Sequence, residues 1–133
     1  MYLLFLQLTY KTKKVFMKIL IIINDAPYGT EKAYNALRLA MNIQKESSET
    51  EVAIFLMADA VGCGIPNQNT PQGYYNIERM MKAVVLKGGK IKACGTCMDA
   101  RGFAELKLLD GVARSNMKEL TDLTLNCDKV ITF

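Results

Sequence analysis

Lys18-Ile19-Leu20-Ile21-Ile22-Ile23-Asn24-Asp25-Ala26-Pro27-Tyr28-Gly29-Thr30 is the stretch that decides the architecture. Its β-branched half is too short for a helix and lacks the polar alternation of a half-exposed strand. It therefore predicts a central parallel strand covered on both faces. The turn-rich residues 24–29 then lead to Thr30 as a helix N-cap. Beyond it, Ala33, Leu37, Ala40 and Met41 line one helical face, Glu31 suits the positive end of the helix dipole, and the helix is expected to end near Gln44.

Working outward, Val52-Ala53-Ile54-Phe55-Leu56-Met57 reads as a second buried strand. Residues 58–72, rich in Gly, Pro and Asn, are long for a connection in a compact domain and so are a candidate mobile or functional loop. A helix over 74–86 follows, with Ile77, Met80, Met81, Val84 and Val85 facing inward and Gly88-Gly89 stopping it. Residues 91–93 form a third strand that delivers Cys94 at its carboxyl end. A short helix is expected over 102–108, an edge strand over 111–113, a helix capped by Ser115 and running to Asn126, and a closing strand over 130–133. Strands alternating with helices specify an α/β, three-layer, Rossmann-like or flavodoxin-like domain with a mainly parallel sheet of about five strands. The expected organisation is one such domain over 17–133, preceded by an arm or start-site extension over 1–16.

Composition narrows function. The net charge is +4, but Lys11, Lys13 and Lys14 supply three of those charges, leaving +1 over residues 17–133. That is no footprint for nucleic acid, which needs clustered Lys and Arg over one face. No apolar run approaches the roughly 20 residues that span a bilayer, so no membrane partner is expected. In residues 1–16 an apolar patch (Leu3, Leu4, Phe5, Leu6) precedes the lysines, the reverse of a secretory signal, so a cytoplasmic location is expected. Four cysteines without that signal favour free thiols, redox chemistry or metal over a disulfide framework. Histidine is absent, which removes Ser-His-Asp and Cys-His mechanisms and leaves cysteine as the best nucleophile.

Ligand sites in open α/β sheets gather at the carboxyl ends of strands near the point where strand order reverses. With a 2-1-3 order the turn after the first strand and the segment 94–102 become neighbours. Cys94 and Cys97 then sit in a crevice lined by Asp25, Tyr28, Gly29, Thr30, Gly95 and Arg101. A thiol at a strand end that runs into a helix start receives backbone N–H bonds favouring thiolate, and Arg101 adds a cation. Asp99 opposes it. The spacing of Cys94 and Cys97 also allows a redox dithiol or two ligands of a metal site that Cys63 completes. The plainer alternative is that these thiols are small buried apolar side chains, which suits Cys127 best. No GxGxxG or Walker lysine is present, and no cofactor is expected.

The opening Lys18 to Ile23 strand with Ala26-Pro27-Tyr28-Gly29-Thr30, the segment Ile91-Lys92-Ala93-Cys94 followed by Ala100-Arg101-Gly102, and the ending Cys127-Asp128-Lys129-Val130-Ile131-Thr132-Phe133 together resemble the DsrE-like family of sulfur-relay proteins. The resemblance runs from Met17 to Phe133. It implies a flavodoxin-like sheet, assembly into homotrimers or homohexamers, and a persulfide on Cys94 exchanged with sulfur-donor and acceptor proteins. It also leaves open a non-catalytic scaffold subunit, as in relatives that lack the cysteine. Cys97 is an addition to the single-cysteine pattern.

Overall fold

The structure, a computed structural model, describes residues 16–133; the expected arm over 1–16 otherwise lies outside the described residues. In chain order the elements are β1 (Lys18–Ile23), α1 (Lys32–Glu46), β2 (Glu51–Leu56), a 3-10 segment (Ala58–Gly64), α2 (Ile77–Leu86), β3 (Lys90–Cys94), α3 (Gly95–Ala100), β4 (Val112–Ser115), α4 (Met117–Asn126) and β5 (Lys129–Thr132). The five strands form one sheet, all pairs parallel, in the order β4-β3-β2-β1-β5. This is the expected α/β architecture.

The strand order corrects the expected 2-1-3 arrangement, because β2 lies between β1 and β3. Apolar patterning tells a buried parallel strand from other elements but does not choose its neighbours. Three successive crossovers each step one place in the same direction, and the last returns past β1. With right-handed crossovers this puts α1, α2 and α3 on one face of the sheet and α4 alone on the other.

Burial follows that asymmetry. Ile19, Ile21 and Ile23 of β1 share a face with Val52, Ile54 and Leu56 of β2, since side chains alternate along a strand, and all six are buried. They pack with Ala33, Ala36, Leu37 and Ala40 of α1 and Met81 and Val84 of α2 into one core. On the α4 face, Leu20 and Phe55 are fully buried, whereas Ile22, Ala53 and Lys92 keep part of their surface. A groove of about 460 Å³ there runs between α4 and the first residues of β1, β2 and β3.

Four local expectations are revised. Helix α1 begins after Glu31, not Thr30; the Thr30 hydroxyl donates to Asp25 Oδ2 at 2.9 Å and accepts from Lys32 N–H at 3.4 Å, bracing the turn before the helix. Helix α2 begins at Ile77, not 74: Tyr74 and Tyr75 stack on one another with centroids 4.5 Å apart, and the Asn76 side chain caps the helix by accepting from Arg79 N–H at 3.0 Å. No helix covers 102–108; a short one occupies Gly95–Ala100 instead and stops at Gly102, whose φ of +75° the missing Cβ permits. Asn116, rather than Ser115, caps α4.

The segment 58–72 is tied down. Gln68 is its hub: its side-chain oxygen accepts from the Tyr28 hydroxyl at 2.7 Å, its side-chain amide donates to the carbonyls of Cys63 and Ile65 at 3.0 Å, and its backbone N–H donates to Glu78 at 2.8 Å. Cys63, expected in an open loop, is fully buried in the 3-10 segment.

Candidate functional site

Strand β3 ends at Cys94, and the same residue is the N-cap of α3. Gly95, the first residue of α3, is closely approached from β4: a Cβ at residue 95 would lie 2.8 Å from Arg114 Nε and 2.9 Å from Cζ. Glycine lets the guanidinium of Arg114 lie against the backbone beside the thiol. Cys94 is 6% exposed and opens on a cavity of about 290 Å³ whose wall includes Phe55, Met57, Thr96, Arg114 and Met117.

Burial pushes the Cys94 thiol up, yet hydrogen bonding outweighs it and the net pKa falls below the ordinary 9.0. The bonds come from the side chains of Cys97 and Thr96 and from the backbone, with the Thr96 hydroxyl at 3.3 Å and the Cys97 N–H at 3.4 Å from Cys94 Sγ. Cys97 moves the other way: burial and its bond to Cys94 raise it, against the Ala58 N–H, which donates to Cys97 Sγ at 3.3 Å, and the charge of Arg101. Of the two thiols, Cys94 is the more readily ionised.

The cations are arranged differently from expectation. Arg101 donates to Asp59 at 2.8 Å and to the carbonyl of Cys97 at 3.0 Å, so its field acts on Cys97. Arg114, which sequence reasoning missed, lines the cavity and grips both oxygens of Asp99 at 2.8 and 2.7 Å. That fork holds the Asp99 carboxyl below its usual range and turns an expected opponent of the thiolate into a support for its neighbouring cation. Residue 114 faces residue 93 across the β3–β4 ladder, as Ser115 faces Cys94. The signal lay in an edge strand read as ending at residue 113, two residues before its end at Ser115.

Asp25, Tyr28, Gly29 and Thr30 do not line this cavity. With β2 between β1 and β3, their turn serves α1 and the 58–72 segment: Tyr28 bonds to Gln68 and accepts from Ile77 N–H at 3.1 Å, and Gly29 takes a φ of +112°. Cys63 has its pKa pushed up to about 12 by burial. Cys127 donates to the carbonyl of Thr124 at 3.4 Å. Among the described residues no group of three or more Cys, Asp or Glu could hold a metal, which leaves the metal alternative without its third ligand. Among them, too, no helix is long and apolar enough to cross a membrane.

The chain is thus a parallel α/β domain that presents a hydrogen-bonded cysteine at a strand end, with an arginine beside it. Residues 17–133 match the DsrE/DsrF-like family, and the chain belongs to it. It is 42% identical over 116 residues to protein YchN of Escherichia coli K12, covering 87% of this chain and 98% of that one. An uncharacterized protein of Methanocaldococcus jannaschii is 38% identical over 117 residues, covering 88% of this chain and all of that one, 100%. The crystal structure of the E. coli YchN protein superposes with a TM-score of 0.85 over 89% of this chain and 100% of that one. A conserved protein of unknown function from Bacteroides thetaiotaomicron shares the fold at a TM-score of 0.62 and 19% identity, with 87% of this chain and 94% of that one covered.

Proposed function

We propose that this protein is a cytoplasmic sulfur-relay protein, a sulfurtransferase in the sense of a persulfide carrier. The Cys94 thiolate attacks the terminal sulfur of a donor persulfide. The donor's own sulfur leaves as a thiolate, and Cys94 holds the transferred atom as a persulfide until an acceptor cysteine attacks it in the same way. The observation that carries this reading is the environment of Cys94 Sγ: two donors within 3.4 Å and a lowered pKa, in a cavity with room for added sulfur. Membership of the DsrE/DsrF-like family supports it.

The same reading has donor and acceptor proteins as partners and a homotrimer or homohexamer as the working form. The thinly covered α4 face supports assembly, with Met117 at 61%, Leu125 at 76% and Val130 at 44% exposure. Intact-protein mass spectrometry after incubation with polysulfide tests the carrier role. The Cys97→Ser variant, which keeps Cys94 but lacks the neighbouring thiol, is expected to gain the mass of one sulfur atom and the Cys94→Ser variant none; equal gain by both, or gain by neither, refutes it. An unreactive Cys94 in a protein that still assembles would point to a scaffold subunit instead.

A further inference from the structure

We infer that Cys97 is a resolving thiol, which discharges a persulfide on Cys94 as hydrosulfide and closes a Cys94–Cys97 disulfide. This rests on the carrier reading and adds a second outcome for the bound sulfur. Cys94 and Cys97 are both reduced and share the first turn of α3, Cys94 as its N-cap, with the Cys97 backbone N–H donating to Cys94 Sγ at 3.4 Å. A thiol held beside the atom it attacks reacts as if at very high concentration.

The second observation is the donor on Cys97. Ala58 sits in the left-handed region at a φ of +49°, a conformation uncommon for alanine, and in it directs its N–H to Cys97 Sγ at 3.3 Å. A thiol serving only to fill space needs no such donor. It stabilises the anion that Cys97 must become to attack, and Arg101, bound to the Cys97 carbonyl, adds positive charge. Before loading, the charge on Cys94 opposes ionisation of Cys97. Loading moves that charge outward to the terminal sulfur and relieves the opposition, so resolution follows loading.

The step balances. Cys97 gives up its proton and its sulfur bonds to Cys94 Sγ, while the bond from Sγ to the terminal sulfur breaks and its electron pair leaves with that sulfur. With the proton from Cys97 the leaving atom is hydrosulfide. The Cys97 sulfur is oxidised by one level and the departing sulfur reduced by one. A dithiol reductant then returns the pair to two thiols.

The experiment loads wild-type, Cys97→Ser and Cys97→Ala proteins with polysulfide, removes excess donor, and follows dissolved sulfide and intact mass without reductant. Wild type is expected to release one sulfide per loaded chain and to end two hydrogens lighter than the reduced protein. Both variants should keep their persulfide longer, by about tenfold or more. Loaded variants that lose sulfur as fast as wild type, or a wild type that sheds sulfide without forming the disulfide, overturn the inference alone. Variants that fold but never load overturn the carrier reading with it.

Discussion

Replacing Thr96 by valine removes one hydrogen bond from the Cys94 thiolate and little else, because Thr96 is exposed and the substitution keeps its shape. A hydrogen bond to a charged group is worth about 1.5–3 kcal/mol; for a weak sulfur acceptor at an exposed contact about 1 kcal/mol is appropriate. That lowers the ionisation constant of Cys94 about fivefold. The less acidic thiol is a better nucleophile once ionised, by about twofold, since reactivity toward disulfides follows basicity with a slope of about 0.4–0.5. Near neutral pH, Thr96→Val should therefore react with dithiodipyridine about two- to threefold more slowly than wild type, and above both pKa values about twofold faster. The assay is the initial rate of thiopyridone release against pH on a Cys127→Ser background, with Cys63 silent because it is buried and has a pKa near 12. Rate curves that never cross, with an unmoved midpoint, would refute the assignment of Thr96 as a donor to Cys94.

Arg114→Ala should slow the reaction of Cys94 with the anionic reagent dithionitrobenzoate more than with neutral dithiodipyridine, and added salt should narrow the gap. Equal slowing of both would show that Arg114 does not present its charge to the cavity. Because the Asp99 pKa is depressed below its ordinary 3.8, the pair with Arg114 is complete above that ordinary value and lost only as pH falls through the lower folded value; the contrast should therefore hold unchanged from neutral pH down to about pH 5. Asn76→Ala should cost about 1–2 kcal/mol by denaturant midpoint at constant slope, since it removes the α2 cap. The bonds from its amide to Gln68 and Thr70 go with it, so an unchanged midpoint would mean that the 58–72 segment is not braced through this residue.

Buried strands were the most legible part of the chain. Lys18 to Ile23 and residues 52–57 are apolar on both faces, and only a sheet covered twice accepts such runs. Strand order was not legible, since the same runs fit beside any neighbour. That one difference removed Asp25, Tyr28, Gly29 and Thr30 from the Cys94 cavity. Cys94 itself was readable from its place after an apolar strand and before glycine. Its electrostatics were not: the effect of Asp99 reversed because Arg114, fifteen residues on in sequence, arrives across the β3–β4 ladder. Arg101, nearer in sequence, turned toward Asp59 and Cys97 instead. Segment 58–72 looked open because its composition suits loops, but Gln68 satisfies backbone groups from Cys63, Ile65 and Glu78 at once, a closure that no local pattern displays.

The central claim is that added sulfur resides on Cys94. Trypsin releases both thiols of α3 in one peptide, Ala93 to Arg101, and fragmentation separates residue 94 from residue 97. Polysulfide-treated protein, alkylated at once to trap persulfides and then digested, should carry the extra sulfur on Cys94 in that peptide, in wild type and more abundantly in Cys97→Ser. Extra sulfur on Cys97, on Cys63 or Cys127, or on no cysteine at all would contradict the account.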